Sequence, residues 1–173
     1  MRIAVHEPLT NIPTGTITAN AAMVPAGNGG SIDVYVTDNA HLVIDINGYF
    51  APPGPGGLSL YTATPCRVLD TRSSGSAPAI IGVTDVNISN SSCGIPSVAK
   101  AFVLNATVIP TGILGYLSLW PQGQAQPLVS TLNAADGALT SNAALVPTTN
   151  GSIRLYATDS THVLLDLSGF FAQ

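Results

Sequence analysis

The sequence predicts an all-β protein, a Greek-key-like β-sandwich or small barrel built from repeated hairpins. Three observations carry that prediction. Every strong apolar pattern has period two, Gly and Pro punctuate the chain between those patterns, and one segment of about 40 residues is written twice.

The repeat comes first because it sets the organisation. Setting residues 11–28 against 133–150, and 30–51 against 151–172, leaves roughly half of about 40 paired positions identical. The shared text reads N-A-A-[ML]-V-P, then G-S-I-x-[VL]-Y-x-T-D-x-x-H, then D-x-x-G-[YF]-F-A. Residues 1–51 are therefore the closing half of a repeat unit, and residues 58–173 are a complete one, opened by residues 58–126. Between them "PPGPGG", residues 52–57, is a linker whose Pro and Gly exclude regular structure.

Within the first copy, "SIDVYVTD" places Ile32, Val34 and Val36 on one face and Asp33, Tyr35 and Thr37 on the other. After a tight Asn39-Ala40 connection, "HLVIDING" places Leu42, Ile44 and Ile46 together, so the pattern predicts a hairpin. A third echo spans residues 101–120, where Pro110, Gly115, Leu117, Leu119 and Trp120 reproduce the spacing of Pro25, Gly30, Ile32, Val34 and Tyr35. Its β-branched residues favour a strand over the short helix that "SVAKAFVLNA" could suggest. Residues 73–93 read as a turn-rich loop. The closing half at residues 1–51 has no opening half before it in this sequence, and a few strands with one apolar face cannot bury that face alone. Something must cover it.

Composition narrows the function classes. The chain is 46% hydrophobic and only 8% charged, with a net charge of -4, so its surface is built from Ser, Thr, Asn and Gly. Such surfaces suit proteins outside the cell or packed side by side, because charge repulsion normally keeps soluble proteins apart. Five Lys and Arg cannot form the basic stripe that nucleic acid requires. No apolar run approaches the roughly 18 residues that span a bilayer. "MRIAVHEPLTN" has no apolar signal-peptide core, and the repeat pattern favours a start inside a unit.

Cys66 and Cys93 are an even count across a Ser/Asn/Gly-rich stretch. Bridged, they would close a loop of about 28 residues and stabilise the fold by roughly 3–4 kcal/mol, in an oxidising compartment; the alternative is two unrelated buried thiols. Asp45 and Asp166 lie in apolar strands, where a carboxylate needs a partner. Arg67 and Arg72 flank Asp70 in "CRVLDTR", so the expectation is an ion-pair network of Arg67, Asp70, Arg72 and Asp166 at a sheet edge, with Arg154 on a neighbouring strand.

Asp38 and Asp159 precede His41 and His162 by three residues, but Asp38 falls near a turn and Asp45 well along the strand, so one metal ion cannot hold both. No G-x-S-x-G, H-E-x-x-H or P-loop occurs, and no catalytic residue, metal or cofactor is expected. Trp120 and Tyr116 share a strand face and could stack on a sugar ring; equally, they could belong to a second half of the core.

At "TPCRVLDTR", "CGIPSVAKAFVLNATVIP", "GYLSLWPQGQAQPLVSTLN" and "HVLLDLSGFF" the chain resembles a repeat module of large secreted bacterial proteins, especially of acidobacteria, with related forms in actinobacteria. That resemblance covers essentially the whole chain and implies an extracellular, β-rich location without an activity. The expected function is a non-enzymatic structural module, a stalk repeat or filament subunit whose half-units complete one another between copies. The alternative is a carbohydrate-binding or adhesive module.

Overall fold

The computed structural model describes residues 20–22, 24, 26–36, 38–46, 48–52, 54–72 and 78–173. Seven strands follow one another: β1 (Ser59–Asp70), β2 (Ile80–Asn87), β3 (Ala101–Pro110), β4 (Leu114–Pro121), β5 (Leu132–Ala134), β6 (Thr140–Pro147) and β7 (Ser152–Ala172). All pair antiparallel in one sheet. The all-β, barrel-like class read from the sequence is the class observed.

The organising element is β7, 21 residues long. Its first stretch pairs with β2 on one side and β4 on the other, and its second with β1 and β3. Registers show that β1 and then β2 run the same way along successive parts of β7, as do β3 and then β4. Each couple is one long strand with an interruption. β6 pairs with β3, β5 pairs with β4, and Asn142 of β6 donates through Nδ2 to the Thr131 carbonyl beside β5 at 2.7 Å. The sheet thus curls until its two margins nearly meet.

These registers correct the hairpin expectation. β3 and β4 do not pair with each other, and the second copy's "TDSTH" is not a reversal but the middle of β7. A two-residue reversal needs positive φ at one or both central residues, and among the described residues only glycines have it. In the first copy, the described residues between 30 and 46 form no strand, and Asn39 and Ala40 close no hairpin. The loop expected over residues 73–93 is also in part a strand, because residues 80–87 form β2; residues 73–77 lie outside the described residues.

The core fills the inside of the curl. Phe102, Leu104 and Val108 of β3, Leu117 of β4, Leu132 of β5, and Leu155, Leu165 and Leu167 of β7 are essentially inaccessible to solvent. Each contributes about 1.5–3 kcal/mol of apolar burial. Alternation along β7 sends Ile153, Leu155, Ala157, Val163 and Leu165 inward and leaves Arg154, Tyr156, His162 and Asp166 on the other face. Every buried side-chain polar atom among the described residues has a hydrogen-bond partner.

Two glycines matter here. Gly151 enters β7 at φ 80°, a conformation L residues rarely adopt. At Gly169 a Cβ would lie 2.7 Å from the Tyr61 carbonyl oxygen, so this position lets β1 close against β7.

Candidate functional site

The charged groups gather along the outer side of β7. Arg67 donates from Nε and Nη2 to the two carboxylate oxygens of Asp166 at 2.7 and 2.9 Å, and from Nη1 to Asp70 at 3.1 Å. Arg72 donates to Asp70 from Nε, Nη2 and its backbone nitrogen. The four residues expected to form a network are brought together because, among the described residues, β1 pairs with β7 alone and sets Arg67 opposite Asp166 in register. Hydrogen bonding to Arg72 holds the Asp70 carboxyl well below the usual carboxylate range, and Asp166 raises Arg67.

A second pair was not read from the sequence. Arg154 of β7 meets Asp85 of β2, with Nε to Oδ1 at 2.6 Å and Nη2 to Oδ2 at 3.1 Å, across directly opposed positions. The hydrogen bonds from Arg154 and then Gln122 lower the Asp85 carboxyl to about 2. The missing signal was β2 itself, since an acidic residue inside an expected loop had no assigned neighbour.

Farther along β7, Asp159 Oδ2 accepts from the Gly115 backbone nitrogen at 2.9 Å, and Thr158 Oγ1 from that of Tyr116 at 3.0 Å. The Gly115 bond and the Thr158 hydroxyl lower Asp159. These bonds replace ladder pairing where β3 passes into β4. His162 Nδ1 lies 3.1 Å from Thr71 Oγ1, so Asp159 and His162 serve different strands. Among the described residues, no three His, Cys, Asp or Glu side chains are grouped to hold a metal.

Acid should weaken the two carboxylate contributions. Asp70 and Asp85 bind a proton less readily when folded than when unfolded, so their stabilisation is complete above the ordinary carboxylate pKa of about 3.9. It is lost as the pH falls through about 2, the folded value of Asp85. The urea midpoint is expected to drop across that window, and less so in R154A; a midpoint that stays flat down to about pH 2 contradicts the assignment.

Cys66 and Cys93 form a disulfide, tying β1 to the loop between β2 and β3. No described helix is long and apolar enough to cross a membrane. Trp120 is 4% exposed and donates its indole N–H to the Gln124 carbonyl, while the Tyr116 ring packs against Tyr156. Of the expected stacking pair, Trp120 is therefore buried, and Tyr116 stays half-buried beside Tyr156.

The other candidate surface is the first copy. Val34 and Ile44 are 51% and 54% exposed, whereas their repeat counterparts Leu155 and Leu165 are at 0%. The segment touches the complete unit at a few points: the Ala21 nitrogen donates to Asn142 Oδ1 at 2.9 Å, and the Phe50 and Phe171 rings lie 6.2 Å apart. Ile44 and Ile46 border an open hollow of about 670 Å³ with Trp120, Pro127, Leu145 and Pro147. No family model, curated protein or solved structure matches the chain.

Proposed function

We propose that the chain is a non-enzymatic structural module of the cell exterior, a repeat of a stalk or fibre whose half-units complete one another's sheets. The observation that carries this reading is the segment 31–50, which repeats the central strand of the complete unit yet leaves its apolar face open to solvent. In the complete unit that strand is flanked on both sides along its length, and all four flanking strands come from the opening half. A closing half alone owns the central strand and the outer strands, and none of the four strands that pair with the centre.

The polar side chains along β7 support the same reading. Arg67 and Arg154 are spent on holding strands together, Arg72 on Asp70 at the end of β1, and Asp159 and His162 on bonding the interruptions of the flanking strands. The disulfide fits an oxidising, extracellular setting.

The test adds an opening half ahead of Met1, whatever residue it carries at the position of Asp85, and images the product. Negative-stain microscopy is expected to show two β lobes in place of one. A single lobe with a loose extension overturns the reading, and retention on a glycan array through the hollow beside Trp120 would favour the adhesive alternative.

A further inference from the structure

Because residues 31–50 repeat β7, each of their side chains has a known environment in the complete unit. Asp45 stands where Asp166 accepts two hydrogen bonds from Arg67. His41 stands where His162 meets Thr71. Gly48 stands where a Cβ at Gly169 would lie 2.7 Å from the Tyr61 carbonyl oxygen, although at Gly48 itself a Cβ would meet nothing within 4 Å. The segment keeps the features that a strand like β1 would use.

Two other positions have changed. Asp33 replaces Arg154, the residue paired with Asp85. Val36 replaces Ala157, which is wholly buried opposite Gly82 and Leu117. Set against this chain's own opening half, Asp33 would place one carboxylate across from another, and Val36 would force extra carbons into a filled site. Occupancy points the same way: the strands of residues 58–126 are already paired with this chain's own β6 and β7.

Resting on the half-unit completion proposed above, we infer that residues 31–50 are covered by an opening half of different sequence, not by residues 58–126 of a second copy. Its β1-like strand carries an arginine facing Asp45. Its β2-like strand carries a lysine or arginine facing Asp33, with room beside it for Val36.

Hydrogen exchange of residues 31–50 tests this in the full chain extended before Met1 by a second copy of residues 58–126. One form keeps Asp85 in the added copy, and the other carries D85K there alone. The lysine form is expected to slow exchange about three- to tenfold more than the aspartate form, and D33R is expected to restore protection to the aspartate form. The unextended chain is expected to show the same exchange from micromolar to millimolar concentration.

Equal protection by both forms, or protection of the unextended chain that rises with concentration, overturns the inference and leaves half-unit completion standing. Protection by no form, D33R included, while β7 peptides stay protected, overturns both.

Discussion

Phe102→Ala is expected to cost about 3–5 kcal/mol of unfolding free energy. Phe102 is fully buried and heads the set of large enclosed side chains. It stands on β3 with Phe170 of β7 on one side and Val146 of β6 on the other, so its removal opens a void where three strands meet. The backbone there is held in two ladders at once and cannot collapse inward to refill the space, which sets the cost toward the upper end of the range. Chemical denaturation of the wild type and variant measures it. A loss below about 1 kcal/mol, the size of a surface substitution, would mean that the core does not centre on β3.

Replacing both cysteines by serine is expected to lower stability by about 3–4 kcal/mol, the loop-closure term for a bridge spanning a separation of 27 residues. Cys66 lies on β1, and Cys93 packs against the core between Ile88 and Ile95, both buried. The loop from β2 to β3 has no ladder of its own, so without the bridge its hold on the core depends on those two side chains and a few turn hydrogen bonds. The wild-type denaturant midpoint under full reduction should agree with that of the double variant, and the unreduced midpoint should lie above both. A wild-type midpoint unmoved by full reduction would remove the bridge from the stability argument.

Faces were legible in the sequence, and directions were not. Period two put Val34 on one face of the first copy and Asp33 on the other, and grouped Ile44 with Leu42 and Ile46; in the complete unit their counterparts Leu155 and Leu165 lie inside and Arg154 outside. The same arithmetic is blind to whether a strand reverses or runs on, and that is where residues 158–161 misled: the alternation resumes after them as it would after a turn. What decides the matter is backbone φ and the register against distant strands, and a single sequence displays neither. Scarcity helped elsewhere. With only five Lys and Arg in the chain, a carboxylate among apolar residues such as Asp166 had few cations to choose from, and Arg67 was one of them. Asp85 escaped because its neighbours Gly82 and Asn87 suggest a turn, and only pairing with β7 makes that stretch a strand. The likeness of residues 30–51 to β7 was legible because both stretches stand in one sequence.

One consequence follows from the pairing of Ser59 with Ala172. The polypeptide enters and leaves the complete unit at a single pole, so a pull on Gly57 and Gln173 loads β1 and β7 in the unzipping direction, one backbone bond after another. Peeling would advance along β1 only as far as Cys66, where the covalent link hands the tension to Cys93 and the buried loop around it. Such a unit would yield early over a short travel and then catch, as a ratchet does at its stop.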